Sequence, residues 1–181
     1  MKTSIRLSAA GLAAWLAAAG WTRAGDAPAP RFAVGADTNT VVDARTGLMW
    51  ARHADLRGTN LLTWEEAVAF CRGLDYGGHR DWRLPHIREL TGLMNTNYTR
   101  PMLANAAGTG KWTEGDPFWR VQEYGKEGVC YYWATTTTAG EPAGAWLISF
   151  FDGRISPDGE SAGRGHVWPV RTVQQGAAPG R

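Results

Sequence analysis

Histidine, cysteine, serine and carboxylate side chains are the groups that could do chemistry, and in this sequence their spacing is loose. His79, Asp81 and His86 fall close together, and metals favour such ligands. The tight spacing of a zinc site is missing, however. With His53 and His166, these histidines read as surface or hydrogen-bonded groups. Gly159-Glu160-Ser161-Ala162-Gly163 matches the pattern of a nucleophile elbow. An elbow works only between a strand and a helix, where the turn strains and exposes the serine. Here Pro157-Asp158 precedes it and Arg164-Gly165 leads into a strand, so the segment reads as a polar hairpin loop. Gly110-Lys111 lacks the first glycine of a phosphate loop and has Trp112 where a hydroxyl should hold magnesium. No catalytic constellation, metal or cofactor is expected from these residues.

The two cysteines are Cys71 and Cys130. In an oxidising compartment such a pair more often forms a disulfide than two thiols, while a bond also needs suitable geometry. The sequence leaves both states open. A different chemistry is offered by Trp112, Trp119 and Tyr124, with Arg120 and Lys126 beside them. Aromatic rings cover the apolar face of a sugar, and arginine grips a sulfate or carboxylate. These five residues are the candidate ligand-binding set; the alternative is that they close over the core as loop lids. They lie in a polar stretch from Asn95 to Val129, and long loops on rigid scaffolds often carry function.

Several elements must position these groups. Lys2 and Arg6 precede an apolar run, Leu7 to Ala19, followed by small residues, the three-part pattern of a cleaved export signal. The run is short for a bilayer span, and no second apolar run is long enough. Residues 1–24 are therefore expected to be a signal peptide, 25–38 an extended linker, 39–174 one domain, and 175–181 a disordered tail. The expected address is the periplasm or the outside of the cell. Loss of Lys2, Arg6 and Arg23 with the signal takes the Lys and Arg count from 19 to 16, against 17 Asp and Glu. That near-neutral balance gives no reason to expect a nucleic-acid partner.

Within the domain, Thr40–Asp43, a turn ending at Gly47, and Leu48–Trp50 read as a hairpin. Thr63 through Leu74 reads as a helix opened by a Thr63/Glu66 capping box. Its apolar face holds Trp64, Ala67, Val68, Cys71 and Leu74. Asp81-Trp82-Arg83-Leu84-Pro85 is extended, and Pro85 opens a second short helix with Glu89 in its first turn. Strands follow at Cys130–Thr137, at Ala145–Phe151 and Arg154–Ser156 around a two-residue Asp152-Gly153 turn, and at Val167–Val173. The expected class is α+β: an antiparallel β-sheet, two short helices and a long irregular loop region. Asp81-Trp82-Arg83 reads as structural, with Arg171 pairing an acid of that region.

Thr46-Gly47-Leu48-Met49-Trp50, Trp64-Glu65-Glu66-Ala67 with Cys71, and Gly77-Gly78 before Asp81-Trp82-Arg83-Leu84-Pro85 and Glu89-Leu90 occur in order. Tyr132-Trp133-Ala134-Thr135-Thr136, Ala145-Trp146, Phe151-Asp152-Gly153 and Val170-Arg171 complete the series. In these segments the chain resembles the Lcl C-terminal domain family, long catalogued as a domain of unknown function. The resemblance covers roughly Thr40 to Val173. It implies a C-type-lectin-like fold related to that of sulfatase-modifying enzymes, and export from a bacterium. The best-known relative binds sulfated polysaccharides through a trimeric C-terminal domain; fold alone does not transfer that function.

Relatives often carry a cysteine in the last strand that meets the one on the first helix; here the position is Thr172. The calcium-lectin tripeptide is approached only by Glu141-Pro142-Ala143, which lacks an oxygen ligand. The paired cysteines of the sulfatase-modifying enzymes are not in place. The expectation is an exported non-catalytic recognition domain binding a glycan or other surface polymer. The alternatives are an envelope-protein interaction or structural module and, ranked last, an enzyme of the sulfatase-modifying fold.

Overall fold

The structure is a computed structural model that describes residues 29–58, 60–122, 124–125, 128–139, 144–157 and 163–173. The expected signal peptide, the disordered tail, Lys126, the Glu141–Ala143 tripeptide and the glycine-serine motif at 159–162 lie outside them. The domain is α+β, built on antiparallel sheets with two helices. A four-stranded sheet runs in the order β1 (Phe32–Val34), β2 (Thr40–Asp43), β3 (Leu48–Ala51), β9 (Val170–Thr172). A three-stranded sheet holds β6 (Tyr132–Thr137), β7 (Ala145–Ile148) and β8 (Ile155–Pro157). A short ribbon pairs β4 (Tyr124–Gly125) with β5 (Gly128–Val129). Among the described residues no helix is long and apolar enough to cross a membrane.

The expected β2–β3 hairpin forms, with Asp43 facing Leu48 across a turn whose Gly47 sits at φ 68°, a conformation glycine adopts at little cost. Strand β1 is a correction, because it falls inside the segment expected to be a linker. Phe32 is buried, packs edge-on against Phe118 at 5.4 Å, and brings β1 against β2. Arg31 beside it grips the buried Asp43 carboxylate with Nε and Nη2 at 3.1 and 2.8 Å. These partners are remote in sequence, so local patterning misses the strand.

Helix α1 (Trp64–Gly73) starts as the capping box requires: the Thr63 hydroxyl accepts from the Glu66 N–H, and Glu66 accepts from the Thr63 N–H. Thr63→Ala is expected to cost about 1 kcal/mol of stability, read as a lower urea midpoint with an unchanged slope. Helix α2 (Ile87–Leu93) begins two residues later than expected; Pro85 is buried before it and its carbonyl accepts from the Thr135 N–H of β6. The hairpin after β7 also differs. Residues 149–154 form a wider loop, because Phe150 turns fully into the core and its carbonyl accepts from the Met102 N–H.

Two apolar clusters fill the interior. The larger centres on Trp168, whose indole meets Trp50, Phe118, Tyr132 and Phe150 at ring distances of 4.9 to 5.6 Å. The smaller joins the inner face of α1, at Ala67 and Cys71, to Leu84, Trp133, Leu147 and Val167.

Candidate functional site

The loop carrying the candidate aromatics is ordered by hydrogen bonds of its own. Asn105 Oδ1 accepts from the N–H groups of Thr109 and Gly110, and Asp116 Oδ1 accepts from the Ala106 N–H. Trp112 and Trp119 have different positions within it. Trp112 is half-buried, packs against the larger core, and donates its indole N–H to the Phe118 carbonyl at 3.2 Å. It is a lid over the core.

Trp119 is half-buried, its backbone paired with Arg52 and Ala54 just past β3, and the Arg52 guanidinium lies over its ring at 3.9 Å. Arg52 spends its donors on the Pro117, Gly115 and Thr38 carbonyls. It therefore fixes the loop and backs one face of the indole rather than offering a free cation. Gly115, at φ 90°, lets the indole approach closely: a Cβ there would sit 2.9 Å from Trp119 Nε1. Arg120 is exposed, with its backbone at φ 54° and its N–H donated to Glu114 Oε1 at 2.7 Å. Tyr124 lies on β4, with only its backbone described. The structure thus sets Trp112 inward and leaves Arg120 exposed beside the half-buried Trp119.

The two cysteines are free thiols. Cys71 is fully buried in the smaller cluster, and burial pushes its thiol up to about 12. Cys130, half-buried, lies two residues before β6. The next residue, Tyr131, accepts the His166 backbone N–H at 2.8 Å, which brings this part of the chain alongside His166. The imidazole Nδ1 of His166 is in turn 3.4 Å from Asp55 Oδ1, a long contact, with both residues buried. Asp55 Oδ2 has no partner among the described residues. Burial alone would lower the His166 pKa, but the Asp55 carboxylate and the Cys130 sulfur outweigh it and raise it to about 9.

The buried Tyr132 ring lies 5.5 Å from the imidazole. Its hydroxyl accepts from the Gln122 N–H at 2.6 Å, and burial, with Asp55, Cys130 and Glu114 nearby, holds the phenol protonated well above its usual range. His166 itself is clamped in the backbone, donating to the Tyr131 carbonyl and accepting from the Trp133 N–H. The sequence reads His166 as a surface or hydrogen-bonded group, and the structure gives it the hydrogen-bonded place; nothing in the sequence singles out Asp55. Asp55 follows β3, Cys130 precedes β6 and His166 precedes β9, so no local spacing marks them.

Asp81, Trp82 and Arg83 hold the frame. Arg171 grips Asp81 through Nε and Nη2 at 2.6 and 3.0 Å, and this fork holds the Asp81 carboxyl below its usual range. Arg83 forks onto Glu89 with two contacts of 2.7 Å. Burial works against ionised Glu89, but Arg83 and the His86 N–H keep its pKa low. Trp82 is buried and donates to the Tyr76 and His79 carbonyls. With these segments in place, comparison with known families is informative: residues 39–171 match the model of the Lcl C-terminal domain. The chain belongs to the Lcl C-terminal domain family. No curated protein and no solved structure matches it.

In this Lcl C-terminal domain the segments that carry the family likeness are the ones that build the interior. Trp50 stacks edge-on against Trp168, Trp64 donates to the Ala134 carbonyl, Trp133 donates to the Leu62 carbonyl, and Trp146 packs on the larger core. The Trp119–Arg120 pair and the Asp55–His166 contact, with Cys130 near it in the chain pairing, lie outside those segments. They neighbour each other through the backbone, since the Ala54 N–H donates to the Trp119 carbonyl and Gln122 reaches Tyr132. Among the described residues no group of three or more histidine, cysteine or carboxylate side chains is arranged to hold a metal.

Proposed function

We propose that this Lcl C-terminal domain is an exported, non-catalytic recognition domain with a C-type-lectin-like fold, binding a glycan or other surface polymer. The observation that carries this reading is the neighbouring pair Trp119 and Arg120 in the long loop. Trp119 is braced from behind by Arg52, and Arg120 beside it holds a left-handed backbone conformation that a non-glycine residue adopts at some cost. A ring held in one position before binding loses little entropy when a sugar stacks on it. An exposed guanidinium next to it suits a sulfate or carboxylate on the same polymer.

A glycan array with the purified domain tests the reading, and binding to acidic glycans is expected. Trp119→Ala and Arg120→Ala should each weaken that binding by about tenfold or more, on the scale of one stacked ring or one charge-assisted contact. Silence across acidic and neutral glycans by the folded domain counts against the reading. Unchanged affinity in both variants removes this loop from the site.

A further inference from the structure

The buried Asp55–His166 pair adjoins the backbone that holds Trp119 and Arg120. We propose that Asp55 and His166 are positioning residues for that binding pair. The protonated imidazole, facing the Asp55 carboxylate, keeps residues 52–55 closed on Trp119, and loss of the proton releases them, so polymer binding weakens at alkaline pH. The consequence for binding rests on the reading of Trp119 and Arg120 given above; the coupling itself does not.

Three observations carry the inference. First, residues 52–55 hold Trp119 and end in the pair. The Arg52 carbonyl accepts from the Trp119 N–H and the Ala54 N–H donates to the Trp119 carbonyl, both at 2.8 Å, while the Arg52 guanidinium covers the indole. Asp55 follows at once, its N–H donated to His53 Nδ1 and its Oδ1 facing His166 Nδ1 at 3.4 Å. Past Arg120, the Gln122 N–H donates to the Tyr132 hydroxyl, and the Tyr132 ring lies 5.5 Å from the same imidazole. The binding pair is thus tied on both sides to neighbours of one titratable group. Second, Asp55 is 2% and His166 6% exposed, and Asp55 Oδ2 has no partner among the described residues. A carboxylate so buried is tolerated where a cation faces it and costly where none does. Third, β3 ends at Ala51, so residues 52–55 lie outside its ladder, whereas the His166 backbone is clamped by Tyr131 and Trp133. When the proton leaves, the Asp55 side is the one that opens to bring the carboxylate to water.

Around the imidazole, Asp55 after β3 stands within ion-pair distance. Cys130 before β6 and Tyr132 on β6 are the other titratable neighbours, and Glu114 of the long loop acts on Tyr132. Burial disfavours the imidazolium, but Asp55 and Cys130 outweigh it and raise its pKa to about 9. Residues 52–55 are therefore closed at neutral pH and open as pH climbs through that value.

The test labels the whole chain with fluorotryptophan and assigns the Trp119 fluorine by its loss in Trp119→Phe. Fluorine and imidazole NMR signals are followed from about pH 6 to about pH 10, with no glycan present. The Trp119 fluorine should shift with the same midpoint as the His166 imidazole, about 9, while the fluorines of the core Trp50 and Trp168 stay in place. Asp55→Asn removes the carboxylate that needs a partner, so the Trp119 shift should vanish and the imidazole midpoint should fall to about 6.5 or lower. His166→Gln strands the carboxylate and should show the high-pH fluorine position already at about pH 7. Adding Asp55→Asn to it should restore the low-pH position, which a mere loss of packing would not. A silent glycan array leaves these results untouched, so the coupling and the binding reading fail separately. A Trp119 fluorine that ignores the imidazole titration overturns the proposal, as does one that moves together with Trp50 and Trp168 or a double variant left at the high-pH position. If His166→Gln does not fold, the parent titration and Asp55→Asn decide.

Discussion

Trp168→Ala should destabilise the domain by about 3–5 kcal/mol, the range for emptying a large aromatic site in a core. Trp168 is fully buried and touches four other aromatic rings, each from a different part of the chain. Its indole also donates to the Ala51 carbonyl at 2.9 Å, so truncation orphans a buried acceptor as well as leaving a cavity. The surrounding rings come from β3, the long loop, β6 and the loop after β7, and they cannot all close inward together. Against a typical total stability of about 5–15 kcal/mol, urea denaturation should show a midpoint reduced by roughly a fifth or more. Loss of under about 1 kcal/mol would mean that the rings pack independently of Trp168.

Stability should also fall as pH rises from about 6.5 to 9, and His166 is the cause. The pKa of its imidazole is raised from 6.5 to about 9 in the fold. A group whose pKa is raised on folding contributes its stabilisation fully below the unfolded value and loses it as pH climbs through the folded one. The difference corresponds to roughly 3 kcal/mol. Cys71 adds a loss of the same sign only above pH 9, since its thiol ionises near 9.0 unfolded and about 12 folded. Asp55→Asn should flatten the slope below pH 9 and bring the imidazole titration, followed by NMR, down to about 6.5 or lower. A flat stability profile between those pH values in the parent domain would show that the imidazole is neutral in the fold.

The parts of this fold that sequence reading recovers are those whose signals are local. The β2–β3 hairpin has alternating β-formers and a glycine at the one turn position needing positive φ. Helix α1 carries its own cap and a face at helical spacing. Arg171 was expected to pair with an acid near Asp81, and two bidentate forks appear there. Strand β1 escaped because Phe32 finds its reason to be buried only in Phe118, far along the chain. The wide loop at 149–154 escaped for a similar reason: Asp152-Gly153 favours a tight turn locally, but Phe150 wins more by entering the core. At the candidate site, tryptophan type alone did not separate Trp112 from Trp119, because the difference lies in Arg52 and Gly115. The Asp55–His166 contact has no motif; it exists because residues near His166 pair in parallel with the start of β6.

The strand order of the four-stranded sheet has a bearing on how this domain can be mounted. Phe32 at the start of β1 is level with Asp43, Asp43 with Leu48, and Leu48 with Thr172 near the end of β9. The chain therefore enters and leaves at the same end of the sheet, on strands three spacings apart, about 14 Å. The Arg52–Trp119 brace hangs from the other end, where β3 finishes and Thr38 turns between β1 and β2. Both termini of the described domain therefore lie at the end of the sheet opposite the Arg52–Trp119 brace, so a fusion made at either one leaves that brace clear.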